Sequence, residues 1–185
     1  MIELIVIAAV LLAGGGWIFS MYNGIVATRN NVQNAFHNID VVLQQRNEEL
    51  SKLVDACTAY MKHESGLLER LVQLRTGYAQ AKEIDRKVTA ANEISALLQQ
   101  LKMVWEQYPD LKAVQSFLQV QERVSAVESK IADHRETFND SVNIYNIQIE
   151  RLPDLVMARI MGARRHVFLT VPDEKKGDLK LEFGA

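Results

Sequence analysis

The chain has 185 residues, with 21 Lys and Arg against 23 Asp and Glu, and a net charge of −2. Acids and bases are interspersed, which excludes the basic stripe that neutralises nucleic-acid phosphates. Cys57 is the only cysteine, so no disulfide framework forms within the chain, and a helical core position makes it a small hydrophobe rather than a metal ligand.

Proline is scarce. Pro109, Pro153 and Pro172 are the only three, so a helix can run from the N-terminus to Tyr108 without meeting a residue that lacks the backbone donor. No segment before the last twenty residues alternates in the way strands require. The chain therefore reads as all-α.

Residues 4–22 read LIVIAAVLLAGGGWIFSMY, without a charged side chain. About 19–20 apolar residues at ~1.5 Å each cover the ~30 Å hydrocarbon core of a bilayer. Trp17 and Tyr22 close the run, where amphipathic rings favour the lipid–water interface. A cleaved signal peptide would carry Lys or Arg before a shorter apolar stretch, whereas Met1, Ile2 and Glu3 precede this one, so residues 1–22 are expected to be a retained transmembrane anchor. Arg29 and Arg46 follow the span, and the positive-inside rule then puts the rest of the chain in the cytoplasm, with a periplasmic or extracellular placement as the alternative. Ala9, Ala13, Gly16 and Ser20 recur at helical spacing, giving one small-residue face on which two membrane helices could pack.

Beyond Gly24, a weak interruption, Ile25, Val32, Phe36, Ile39, Leu43, Leu50, Leu53, Cys57 and Tyr60 follow intervals of three, four and seven. That is one apolar stripe on a helix continuing out of the membrane. Asn30, Asn34, Asn38, Gln45 and Glu49 are expected on the solvent face. Ser65-Gly66 marks a turn. A second stripe runs from Leu68 through Leu71, Leu74, Tyr78, Ala81, Val88, Ala91, Leu97 and Leu101 to Val104, with a possible break near residues 84–86. Tyr108-Pro109 ends it, because the residue before a proline is pushed out of helical geometry, and Asp110 is placed to cap the next helix.

The third stretch carries Val124, Ile131, Phe138, Tyr145 and Leu152 at every seventh position, with Val127, Val142 and Ile149 alongside, a coiled-coil-like seam. Pro153 interrupts it, a short helix from Asp154 to about Met161 follows, and Gly162 supplies the stop. From residue 164 the chain is expected to be an extended or partly β tail, ordered only against a neighbour. Stripes on helices joined by short connections bury each other best as an antiparallel bundle of three to four long helices over residues 23–163.

Chemistry-bearing motifs are absent. His63-Glu64 lacks the second histidine of a zinc-protease helix, and Gly14-Gly15-Gly16 lies in the apolar span rather than in a phosphate loop. No cofactor and no metal is expected. Arg29, Asp40, Arg46 and Arg135 lie beside the apolar stripes, and in a tight bundle such residues are expected to be paired ions that fix register.

Several blocks resemble the bacterial LemA family: YNGIVATRNNVQNAF, NIDVVLQQR, EQYPDLKA with Tyr108 and Pro109, the spaced Glu128, Ile131, Arg135, Phe138 and Asn139, and YNIQIERLP with Tyr145, Asn146 and Pro153. The resemblance implies an up-and-down bundle behind an N-terminal anchor and no established enzymatic activity. It also implies either a part in organising membranes or association with membrane proteases under stress. One block departs: Glu49 to Val54 lacks the proline expected in the family, so the first helix should be straighter. The expected partners are the lipid bilayer, further copies of the chain and another membrane protein.

Overall fold

A computed structural model describes residues 1–170, and every regular element among them is helical. In chain order these are α1 (Ile2–Thr58), a 3-10 turn (Lys62–Glu64), α2 (Ser65–Gln80), α3 (Ile84–Trp105), α4 (Pro109–Lys112), α5 (Gln115–Glu150) and α6 (Asp154–Ile160). The residues form two compact units. One comprises residues 1–46 and 125–168; the other comprises residues 47–124 and, among those described, 169–170. Helices α1 and α5 each contribute to both.

In the first unit α1 and α5 run antiparallel. Thr28 meets Gln148, Phe36 meets Phe138 and Arg46 meets Glu128, so the position on one helix rises as that on the other falls. The stripe read from sequence is the buried face: Ile25, Val32, Phe36, Ile39 and Leu43 on α1, and Val127, Ile131, Phe138, Val142, Tyr145 and Ile149 on α5. Each such side chain contributes roughly 1.5–3 kcal/mol by leaving water. Phe36 and Phe138 stack edge to face with centroids 5.8 Å apart, the arrangement their ring quadrupoles favour.

Gly24 is a point of close approach rather than a weakness. A Cβ there would lie 2.8 Å from Gln148 Nε2, and the same Gln148 accepts a hydrogen bond from Thr28 Oγ1 at 2.7 Å. The glycine leaves room for the buried amide of the facing helix.

In the second unit the chain folds back twice. Asn47 Nδ2 donates to the Arg75 carbonyl at 3.2 Å, and Arg70 bridges to Glu93 at 3.0 Å. These links pair the end of α1 with α2, and α2 with α3, in antiparallel hairpins. Trp105 and Phe117 stack edge to face at 5.3 Å, with Leu111 of α4 buried in the same unit.

Several boundaries differ from the sequence expectation. The first turn lies at residues 59–64, not at Ser65-Gly66, which form the exposed start of α2. Buried Met61 decides this: its N–H reaches the Cys57 carbonyl at 2.8 Å, and its own carbonyl accepts from Glu64. The second break falls at residues 81–83, just before Ile84. Asp110 is exposed in the first turn of α4 and caps nothing, because Pro109 itself takes the first helical position, where its fixed φ suits and its missing donor costs little. The helix from Asp154 and the stop at Gly162, which has φ +64°, are as expected.

Side-chain placement also needs three corrections. Tyr60 and Leu152, assigned to the stripes, are exposed because each lies past the last residue of its helix. Glu49, expected in solvent, is buried. Helix α1 passes residues 49–54 unbroken. The expected extended or partly β tail lies outside the described residues from residue 171 onward.

Replacing Phe138 with Ala is expected to lower stability by about 3–5 kcal/mol, as for other buried aromatics, while Leu152→Ala should change it by less than about 0.5 kcal/mol. Urea unfolding in mild detergent, followed by circular dichroism, measures both. Equal losses would contradict the placement of Leu152 outside the core.

Candidate functional site

Among the described residues no three His, Cys, Asp or Glu side chains gather where a metal could sit. His37, His63 and His134 are exposed on separate stretches of helix. Cys57 is fully buried, and burial pushes its thiol up to about 11, so at neutral pH it is protonated and packs as a small apolar group. The polar groups that the fold does position are buried ions and amides, and they lie in each unit separately.

In the first unit Arg46 is 1% exposed and its Nη1 lies 3.2 Å from Glu128 Oε1, itself 28% exposed. Arg46 is thus a buried ion beside the stripe with a carboxylate within salt-bridge distance. Its partner is the glutamate that opens the spaced motif on α5. Asp40 is half-buried and accepts from Gln44 Nε2 at 2.8 Å. Arg135 and Asn139 are half-buried on α5, and Arg29 is exposed on α1. The four charged positions are thus distributed along the helix pair.

The Tyr145–Asn146 pair holds the returning chain. Asn146 Nδ2 donates to the His166 carbonyl at 3.0 Å, and Asn146 Oδ1 accepts from the His166 N–H at 2.9 Å. One buried amide satisfies both backbone groups of one residue, as a neighbouring strand would. The Tyr145 ring lies 5.1 Å from the His166 ring, and Arg165 bridges to Glu150 at 3.0 Å. Residues 163–168 are ordered against α5 by these contacts. Pro153 stands in the α5–α6 turn after a cis peptide bond, and Asp154 is buried with Arg151 Nε at 2.8 Å.

The second unit contains a triad that sequence reasoning missed. Glu49 accepts from Lys52 Nζ at 2.7 Å and from Arg123 Nε at 2.9 Å. The Lys52 hydrogen bond is the largest influence and, with Arg123, holds the Glu49 carboxyl below its ordinary value despite burial. A signal was present in the sequence. Ala35, Val42 and Glu49 form their own seven-residue row, and all three are buried, so the acid continues an apolar face. Also in this unit, Asn92 Oδ1 accepts from the Thr170 N–H at 2.8 Å. Tyr108 is half-buried and Pro109 exposed at the start of α4, where they set the turn that carries Leu111 inward.

What the arrangement does is neutralise charge at helix–helix contacts, where an unmatched ion costs more than a matched pair contributes.

Glu128→Gln removes the carboxylate 3.2 Å from the buried Arg46 cation and is expected to destabilise the protein by about 3 kcal/mol. Chemical denaturation reads this loss, and no change would show that the pair fixes nothing. The Glu49 contribution has a defined pH dependence. A carboxyl whose pKa is lower folded than unfolded stabilises above the unfolded value, and that stability fades as pH falls through it towards the folded one. Wild-type stability should therefore drop with acid below the ordinary carboxylate range more steeply than that of Glu49→Gln. Parallel pH profiles would contradict the triad.

Comparison with known proteins gives these contacts a family setting. A family model described as the LemA family matches residues 35–183. Over 129 residues the chain is 27% identical to Protein LemA of Metamycoplasma hominis, a match covering 69% of this chain and 58% of that protein. It is 34% identical over 68 residues to Magnetosome protein MamQ 2 and MamQ 1 of Paramagnetospirillum magneticum, covering 37% of this chain and 25% of each of those proteins. The chain thus spans somewhat over half of the first relative and a quarter of the other two. The family match takes in the Arg46–Glu128 pair, the Tyr108–Pro109 turn and the Asn146 clasp, and over that extent it places the chain in the LemA family.

Proposed function

We propose that this LemA-family protein is held in a bilayer by the first part of α1 and works without catalysis, as a self-associating structural protein that organises membrane or recruits partners. The observation that carries the reading is the N-terminal segment. Residues 2–19 are apolar apart from Glu3, Ser20 lies just beyond, and none of them is buried. A soluble protein rarely leaves so long an apolar helix in water, whereas a bilayer satisfies it. The backbone is hydrogen-bonded throughout, as a lipid environment requires. The likeness to proteins named for the magnetosome supports a part in membrane organisation.

Self-association would use the exposed face formed by Ala9, Ala13, Gly16 and Ser20, where small side chains let two backbones approach. The charge balance after the span favours a cytoplasmic position for the remaining helices. A heterologous membrane protein, such as a protease for which this chain would be the adaptor, is the competing partner.

The protein is expected to remain in the membrane pellet after alkaline carbonate washing. Native mass in detergent should show an oligomer that shrinks when Ala13 and Gly16 are both replaced by Leu. A wild-type monomer would overturn the self-association. A stoichiometric heterologous protein in the purified material would transfer support to the adaptor reading.

A further inference from the structure

The first unit ends in a turn and a short helix whose outer side has no covering within the described residues. Leu152 is 75% exposed, Val156 58% and Ile160 75%. They recur every fourth residue, and the last two lie one turn apart on α6, opposite its buried Asp154 and Ala158. Residues 151–165 carry four arginines and a single acid, Asp154. Asp154 is occupied by Arg151, and Arg165 is held by Glu150. Among the described residues, Arg159 and Arg164 have no acidic partner.

The place of this patch matters as much as its composition. Because α5 runs antiparallel to α1, it delivers the turn to the end of the apolar run. Trp17, Ser20 and Met21 of α1 share a recess of about 460 Å³ with Arg151, Leu152 and Pro153. Trp17 is only five residues from Tyr22, or ~7.5 Å along the helix. After α6 the chain turns back along α5 to the Asn146 clasp, so residues 151–165 cap this end of the unit.

We propose that the α5–α6 turn and α6 form a second membrane contact, an interfacial docking surface for anionic lipid. Leu152, Val156 and Ile160 would enter the boundary between headgroups and acyl chains, at a depth of about 5–10 Å typical of such helices, while Arg159 and Arg164 would meet lipid phosphates. Charge favours lipid over a second copy, since two identical faces would bring the Arg159 and Arg164 cations of both copies together. The inference rests on the anchor reading, because the span in the same unit is what holds the patch at the bilayer surface and raises its effective concentration there.

The test uses the full chain with one added cysteine at a time, carrying an environment-sensitive fluorophore. Buried Cys57 leaves added surface thiols selectively reactive. Probes are placed by Val156→Cys, by Leu11→Cys in the span, and by Ser129→Cys, exposed on α5 about 33 Å from Arg151. The proteins are reconstituted in phosphatidylcholine vesicles with or without phosphatidylglycerol, including chain-brominated lipid as quencher. The residue-156 probe should be blue-shifted and quenched, more strongly with phosphatidylglycerol, and Arg159→Gln with Arg164→Gln should remove that extra quenching.

If the residue-11 probe is quenched while the residue-156 probe matches residue 129, the anchor stands and the second contact is overturned. An unquenched residue-11 probe overturns the anchor and with it this inference. Equal quenching of residue 156 in both vesicles overturns the anionic preference. A blue shift in lipid-free detergent that fades on protein dilution assigns the face to a second copy and overturns the lipid assignment.

Discussion

The register between α1 and α5 in the first unit is the constraint on which its other features depend. Phe36 against Phe138, Thr28 against Gln148 and Arg46 against Glu128 are three chemically different contacts along one helix pair. A slide of one turn would misplace all three together. The aromatic pair supplies burial, and hydrophobic burial alone tolerates sliding because Val, Ile and Leu are nearly interchangeable along a stripe. The ion pair and the amide do not tolerate it, since each would leave a polar group in an apolar contact. Polar residues near the core thus specify position more than they add stability.

The same register carries the end of α5 to the level of Trp17 and Met21, and the Asn146 clasp returns the chain along α5. The motif residues therefore divide into those that set register, such as Arg46 and Glu128, and those that terminate or redirect the chain, such as Asn146 and Pro109. That gives a physical content to a family likeness that names no activity.

In the second unit the Glu49, Lys52 and Arg123 triad shows the limit of reading a face from charge. Glu49 looks like a solvent residue by type, yet its seven-residue relation to Ala35 and Val42 puts it on a buried row. Periodicity was the better guide, because geometry decides which face a residue occupies and the residue type decides only what burial then costs. Asn146 and Asn92 were harder to read. An asparagine that serves a distant backbone N–H leaves no local pattern, since its partner lies 20 or 78 residues away.

The all-α class, the apolar N-terminal run, the α5 seam and the stop at Gly162 follow from the sequence alone. Each depends on local rules of periodicity, proline placement and left-handed backbone that act within a few residues. The tertiary structure alone decided where the first turn lies, which partners neutralise the buried charges, and which heptad residue is left outside. Met61 draws the turn inward, Arg123 neutralises Glu49, and the end of α5 exposes Leu152. Arg123 lies 74 residues from Glu49, and the burial of Met61 and exposure of Leu152 depend on what the rest of the fold packs against each, which periodicity alone does not record.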